Sequence, residues 1–195
     1  MQLILQGKLP DAGNPAAMKR SLEQFLCNLV EHGGDAERSP GGMLWVQPWN
    51  NMQYVTSAAF VAAAHADHLA GTSLRCGGAA QLLSFARSQV DYILGVNPGR
   101  MSYMVGYGPR FPAEVHHRGS SVPSIKSSPG KITCKGGFDY FSKSTPNPNV
   151  LVGAIVGGPD GNDHYNDSRQ NFQQAEPSTV TVAPIVGVLA RLLHN

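Results

Sequence analysis

Two acidic residues near the C-terminal end have the types and spacing that acid catalysis requires. Asp167 and Glu176 lie nine residues apart, with Arg169 close to the aspartate and Phe172 between them. A carboxyl group beside aromatic and apolar neighbours is desolvated, and desolvation raises its pKa. A glutamic acid that stays protonated donates a proton to the oxygen of a leaving group. The alternative is structural: Glu176 would stand at a helix start and complement the helix dipole.

A second polar group stands upstream, in a segment without helical periodicity. His116, His117 and Arg118 are consecutive. They offer several hydrogen-bond donors to sugar hydroxyls, and the guanidinium also suits bidentate pairing with a carboxylate. A histidine pair with purely structural hydrogen bonds is one alternative. A metal site is another, but adjacent histidines rarely bind one ion together and no third ligand is near, so we expect no metal.

Aromatic residues bracket a helix start near residue 50. Trp49 precedes the start and Tyr54 follows it. Flat aromatic faces with polar edges suit pyranose rings, whose axial C–H faces are apolar. The alternative is a pair of core aromatics that anchor a loop.

Four helices are predicted to position these groups. The first begins at the N-cap Asn14 and stops before Gly33, and the others span roughly residues 52–69, 79–94 and 176–193. The second is rich in alanine and apolar nearly all round, so it is expected to pack on more than one side. The apolar stripes of the first and last helices are Leu22, Phe25, Leu26, Leu29 and Val30, and Val182, Ile185, Val186, Leu189 and Leu193.

Composition limits the class of protein. Hydrophobic residues make up 42% and charged residues only 14%, against roughly 25% charged in an average soluble domain. The 22 glycines and 14 prolines indicate long shaped loops between apolar helices. About eighty residues between the third and fourth helices lack periodicity, and a loop region of that length usually serves function. The sequence therefore predicts a mainly α-helical chain whose site lies on loops.

Charge and hydropathy exclude several partners. The net charge is +2 and no cluster of lysine or arginine stands out, so we expect no nucleic acid and no membrane partner. Residues 1–6 are too short and too soon polar for a secretory signal peptide. Cys27, Cys76 and Cys134 allow one disulfide, and its pairing stays open.

The chain resembles family 9 of the glycoside hydrolases, especially plant-type endo-β-1,4-glucanases (cellulases). One family pattern runs from Ser102 to Arg118, and a second is Tyr165-x-Asp167-x4-Phe172-x3-Glu176-x-Ser178. Further plant-like stretches are residues 41–44, 49–54, 120–125, 146–154 and 157–160. The resemblance covers essentially the whole chain.

The resemblance implies an all-α fold, part of an (α/α)6 toroid of the six-hairpin glycosidase type, whose long loops bind a β-1,4-glucan chain. It implies inverting hydrolysis of internal β-1,4-glucosidic bonds without a cofactor, by an extracellular enzyme that is monomeric at full length. The catalytic group would comprise Glu176 as general acid, Asp167 as its supporting aspartate and His116. Arg118, His117, Trp49 and Tyr54 would bind the substrate.

Two departures from the family pattern matter. Val182 stands where the second pattern has an asparagine. No residue matches the paired aspartates that contain the family's catalytic base; residues 11–14, Asp-Ala-Gly-Asn, resemble them only superficially. A complete toroid needs about twice this length, so residues 1–195 are interpreted as the C-terminal portion of a catalytic domain, with the N-terminal half absent. The chain alone is expected to be inactive, and a glucan-binding fragment or an inactive remnant is the alternative.

Overall fold

The computed structural model describes residues 14–34, 36–69 and 71–194. Asp11, Gly13 and the first six residues therefore lie outside the described part. Within it, the helices are α1 (Pro15–Glu31), α2 (Met52–Leu69), α3 (Ala79–Ile93), α4 (Arg118–Ser121), α5 (Gly136–Phe141), α6 (Phe172–Ala175) and α7 (Thr179–Leu193), and the strands are β1 (Glu37–Arg38) and β2 (Leu44–Trp45).

Helix α1 begins as the sequence predicts. The side-chain oxygen of Asn14 accepts a hydrogen bond from the backbone N–H of Ala17 at 3.1 Å, and Pro15 occupies the first helical position. The helix ends at His32, which adopts a left-handed conformation with φ 57°. The predicted apolar stripe is only partly correct, because Leu26 is buried whereas Phe25 is 43% exposed.

Helix α2 is the centre of the helical core. It has the predicted bounds, and α3 and α7 both pack against it. Its alanines let neighbouring backbones approach closely, and Ala59, Ala62 and Ala63 are fully or almost fully buried. A disulfide between Cys27 and Cys76 joins α1 to the turn before α3 and so settles the open pairing.

The predicted start of the last helix is wrong by three residues. The residue before a proline is pushed out of the helical region, and Glu176, which precedes Pro177, is extended with ψ 119°. Helix α7 therefore starts at Thr179. The stretch Phe172–Leu193 is long and apolar enough for a membrane span by composition, but this break divides it into α6 and α7.

The buried face of α7 also differs from the predicted stripe. Thr181, Ile185 and Val188 are buried at helical spacing, whereas Val186 and Leu193 are 62% and 83% exposed. The reason is that the row at positions 181, 185 and 188 turns toward the core formed with α2. The hydroxyl of Thr181 donates to the carbonyl of Ile155 at 3.0 Å and fixes the start of the helix.

The hairpin of β1 and β2 is fixed by two buried amides. Gln89 on α3 accepts from the N–H of Leu44 at 2.8 Å and donates to the carbonyl of Gly42 at 3.1 Å. Asn51 donates to the carbonyl of Leu44 at 2.7 Å. Since Asn51 directly precedes α2, these bonds hold the connecting segment that contains Trp49.

Candidate active site

The one-turn helix α6 is the meeting point of three loops. The carbonyl groups of its last three residues have no partner within the turn, because a helix of four residues cannot supply one. Each instead accepts a backbone N–H from a different loop. The bonds are Asn50 N to Gln173 O at 2.9 Å, Gly158 N to Gln174 O at 3.0 Å, and His116 N to Ala175 O at 2.9 Å.

Glu176 follows this turn directly. Its backbone N–H donates to the carbonyl of Phe172 at 3.2 Å, and Pro177 fixes its extended backbone. The side chain is partly buried. Within the described ranges no hydrogen bond or ion pair occupies its carboxyl group, which leaves that group available to a ligand.

Asp167 positions the backbone that leads to His116. One carboxylate oxygen accepts from the N–H of Ala113 at 2.8 Å and the other from the N–H of Glu114 at 3.0 Å. Both carboxylate oxygens thus bind the loop of residues 113–114, which continues to His116 and its bond with α6. The backbone N–H of His116 binds the carbonyl of Ala175, the residue before Glu176. Asp167 is therefore linked to Glu176 through this loop, and the link needs no direct contact between the two side chains.

His116 is oriented by the backbone and by two rings. Its Nδ1 lies 2.6 Å from the carbonyl oxygen of Arg169. A carbonyl only accepts, so Nδ1 bears the hydrogen and Nε2 is left as the second functional atom. The imidazole meets the rings of Phe141 and Phe172 edge-on, with centroid distances of 5.2 and 6.0 Å.

Arg169 is a buried cation whose role the sequence does not reveal. Only 2% of its surface is exposed, yet no carboxylate lies within 4 Å among the described residues. Its guanidinium donates to the side chain of Asn147 at 2.7 Å and to three backbone carbonyls of residues 141–145. Such a full set of acceptors satisfies a buried guanidinium without an anion. Arg169 thereby holds the loop that follows α5 against the turn that contacts His116.

Trp49 is open to solvent beside this cluster. Its side chain is 52% exposed, which argues against the core-aromatic alternative. Its ring meets that of Phe172 edge-on at 5.5 Å. The rings of Trp49, Phe172 and His116 are therefore in successive edge-on contact beside the turn that positions Glu176. Tyr54 is partly buried in the first turn of α2 and is not among these contacts.

His117 and Arg118 have local structural contacts. Nδ1 of His117 accepts from the N–H of Ser120 at 3.1 Å and so caps α4. The guanidinium of Arg118 lies over the ring of Phe138 at 4.1 Å. Both side chains are exposed, which leaves the remaining imidazole nitrogen and the guanidinium edge open to solvent.

Two further aspartates near the site are engaged in structure. The buried carboxylate of Asp163 accepts from the hydroxyl of Tyr92 and from the N–H of Gly41 at 2.6 Å. Burial, reinforced by this bond to Asp163, holds the pKa of Tyr92 well above its ordinary value, so the phenol stays a donor. Asp160 accepts from two backbone N–H groups of its own turn. Over the residues that the structure describes, no three His, Cys, Asp or Glu side chains group as a metal site.

The loops of this helical framework gather a carboxyl group, an oriented imidazole and an exposed indole, groups that suit proton transfer and stacking on a sugar ring. The chain belongs to glycosyl hydrolase family 9, whose model matches residues 4–189.

Relatives with curated names agree with this family. Endoglucanase 14 of Oryza sativa subsp. japonica is 68% identical over 208 residues, covering 99% of this chain and 41% of the rice protein. Endoglucanase 15 of Arabidopsis thaliana is 50% identical over 200 residues, covering 98% of this chain and 41% of that protein. The chain thus spans about two-fifths of the length of these relatives.

Solved structures agree on the fold. The endoglucanase of the termite Nasutitermes takasagoensis matches with a TM-score of 0.77 and 30% identity, over 98% of this chain and 39% of the termite chain. Endoglucanase CelQ of Clostridium thermocellum, complexed with cellotetraose, matches with a TM-score of 0.72 and 29% identity, over 93% of this chain and 28% of that one. The chain is therefore an all-α part of an (α/α)6 toroid.

Proposed function

We propose that this chain is the C-terminal portion of a catalytic domain that hydrolyses internal β-1,4-glucosidic bonds of cellulose or related β-glucans with inversion. The observation that supports this most is the position of Glu176. It follows a turn whose carbonyl groups are fixed by three loops, and no hydrogen bond or ion pair from the described residues occupies its carboxyl group.

Glu176 would act as the general acid and protonate the glycosidic oxygen as the bond breaks. In the inverting reaction, a second carboxylate activates water on the opposite face of the sugar, and the two groups stand about 6.5–9.5 Å apart. That base would be an aspartate outside these 195 residues. Asp163 does not fill the role, because both of its carboxylate oxygens already accept hydrogen bonds. Asp160 is held within its own turn by two backbone N–H groups that bind its Oδ1.

The neighbouring residues would bind and orient the sugar chain. Nε2 of His116 can donate to or accept from a hydroxyl group, since Nδ1 is held by Arg169. Arg118 and His117 would add donors from the same loop. Trp49, and with it Tyr54, would stack on pyranose faces. Asp167 would act indirectly, by fixing the loop that contains His116.

Compartment and assembly follow the same proposal. The bond between Cys27 and Cys76 is typical of proteins that fold in an oxidising environment, which supports an extracellular location. The full-length enzyme would be monomeric.

The test replaces the matching part of rice Endoglucanase 14 with residues 4–189 of this chain and measures reducing sugar released from carboxymethylcellulose. Glu176→Gln should keep binding and lose roughly 10²–10⁴-fold in turnover, because the amide has no proton to donate. Glu37→Gln is the matched control: it makes the same change at an exposed strand residue and should keep turnover. Near-normal turnover of the Glu176 variant would reject the assignment.

A second candidate is a glucan-binding chain that does not cleave. It is favoured by the absence of a sequence match to the family's paired aspartates. Calorimetry with cellohexaose, run beside the sugar-release assay on the chimera with rice Endoglucanase 14, separates the two: binding without release indicates the second candidate.

A further inference from the structure

The positive charge of this chain is concentrated in one segment. Residues 118–145 contain five lysines and arginines and a single carboxylate, Asp139. All other residues together contain ten cations and twelve carboxylates, so they are net negative. The overall charge of +2 therefore arises entirely from this segment, although the cations are spaced too widely in sequence to stand out.

The fold arranges the segment around one groove. Arg118, Ser124, Thr133 and Asn149 line it, between α4 on one side and the start of α5 on the other. Three lysines adjoin lining residues in the chain: Lys126 lies two residues after Ser124, Lys131 precedes the lining residue Ile132, and Lys135 follows the lining residue Cys134. We call this surface, which comprises the groove, Arg118 in its lining and the nearby Lys126, Lys131 and Lys135, the basic lobe.

The lysines of the basic lobe have no anionic partner among the residues that the structure describes. Lys126, Lys131 and Lys135 are exposed, and none lies within 4 Å of a carboxylate in the described parts of the chain. Some surface cations elsewhere have partners, as Arg75 has Glu31 and Arg191 has Asp67, whereas Arg20, Arg87 and Arg100 have none among the described residues but are far apart in the sequence. Gathering like charges without compensation is unfavourable for the fold itself, which points to an external anion.

We propose that the basic lobe binds a carboxylate-bearing polysaccharide, a polymer of uronic acids, next to the glucan site. Two features favour a polysaccharide. Arg118 follows directly on His116 and His117, so the lobe continues the proposed sugar-binding loop. The groove contains the polar side chains of Ser124, Thr133 and Asn149 among apolar ones such as Val122 and Ile132, a mixture that suits the hydroxyl groups and C–H faces of a sugar chain.

Other polyanions fit less well. Binding of single-stranded nucleic acid relies on aromatic faces free to stack on bases, but Arg118 covers the ring of Phe138 at 4.1 Å and Lys143 covers that of Tyr140 at 4.8 Å. Membrane surfaces bind long amphipathic helices, whereas α5 has six residues.

The test measures binding of the 195-residue chain, at submicromolar concentration, to immobilised polygalacturonate. Lys126→Gln/Lys131→Gln/Lys135→Gln should bind at least about tenfold more weakly at low salt, and raising the salt should weaken the unmodified chain, because exposed charges are screened. The matched control Arg20→Gln/Arg87→Gln/Arg100→Gln removes three exposed cations from other surfaces and should bind within about twofold of the unmodified chain. Circular dichroism checks that both variants keep the helical content.

Three further arms decide the ligand class. Fully methyl-esterified polygalacturonate, with the same backbone but no charge, should bind poorly. The proposal would be overturned if duplex DNA or phosphatidylserine vesicles bound as tightly as polygalacturonate at equal charge concentration, with the same dependence on the lysines. Equal binding of polygalacturonate by the lysine variant and its control would also overturn it. Affinity for cellohexaose should be the same for both variants and the unmodified chain, so failure here is distinguishable from failure of the proposed glucan site.

Discussion

The convergence of three loops on α6 can be tested with one methyl group. Gly157 lies beside the turn, and a Cβ at this position would stand 2.4 Å from the carbonyl oxygen of Gln173, 3.0 Å from that of Gln174 and 3.1 Å from Cα of Asn50. All three neighbours are backbone atoms, so no flexible side chain can give way. Since ordinary contacts begin near 3.4 Å, the loop and the turn must separate by roughly 0.6–1.0 Å in Gly157→Ala.

The expected cost follows from this separation. Overpacking of a well-filled region costs about 1–3 kcal/mol. The shift also lengthens the bonds that Asn50 and Gly158 donate to α6, which are worth about 0.5–1.5 kcal/mol each. Gly157→Ala should therefore lower the free energy of unfolding by about 2–4 kcal/mol, a large part of the roughly 5–15 kcal/mol of an ordinary domain.

Urea unfolding followed by far-UV circular dichroism measures this cost. Gly130→Ala is the matched control, because a Cβ there meets no atom within 4 Å and its φ is not left-handed; it should change stability by less than about 0.5 kcal/mol. The Gly157 variant should also lose affinity for cellohexaose, because Glu176 and His116 move with the turn. Equal stability of the two alanine variants would refute the close packing of loops around α6.

Four further outcomes are expected. The 195-residue chain alone should release no reducing sugar from carboxymethylcellulose, because Glu176 lacks a base opposite it; normal turnover would mean that another acid here serves as the base. Trp49→Ala should weaken cello-oligosaccharide binding by about 0.5–1.5 kcal/mol in calorimetry while leaving the unfolding midpoint nearly unchanged, since the indole is half exposed; unchanged affinity with a large loss of stability would make it a core residue. Cys27→Ala/Cys76→Ala should lower the free energy of unfolding by about 2–4 kcal/mol, because the bond closes a loop of 49 residues' separation; a change below 1 kcal/mol would contradict this. Burial, together with repulsion from His68, lowers the pKa of His65 in the folded state. The contribution of His65 to stability is therefore complete above the unfolded pKa near 6.5 and is lost as the pH falls below it. In a His65→Leu variant the free energy of unfolding should fall less steeply between pH 7 and 5, and an unchanged slope would count against this explanation.

The helices were predictable where local signals decide them. Asn14 and Pro15 give a capped start that needs no tertiary contact, and α2 is apolar enough that its bounds follow from the sequence. The exposed and buried faces were less predictable. Phe25 and Val186 are apolar but exposed, because burial depends on which neighbouring element is present and periodicity reports only that an apolar face exists.

The candidate site, like the fold, has features that the sequence indicates and features that it does not. The acidic pair and the histidines could be proposed as site residues from the sequence because their side chains have suitable chemistry. The contacts that arrange them could not be predicted, since Arg169 and Gly157 act on backbone carbonyl groups, which every residue has. The signals in the sequence were a glycine pair at 157–158 and an arginine two residues after Asp167, and neither identifies the carbonyl groups involved.

The acceptors around Arg169 bear on the order in which the chain folds. The arginine binds partners only 22 to 28 residues away in sequence, whereas the bond from Gly41 to Asp163 spans 122 residues and that from Arg191 to Asp67 spans 124. Closing a short loop costs less entropy and happens sooner than closing a long one. The segment from residue 141 to Arg169 should therefore acquire protection from amide hydrogen exchange early in refolding, before α7 is joined to α2. The loops of the proposed active site would then be ordered before α7 completes the helical core.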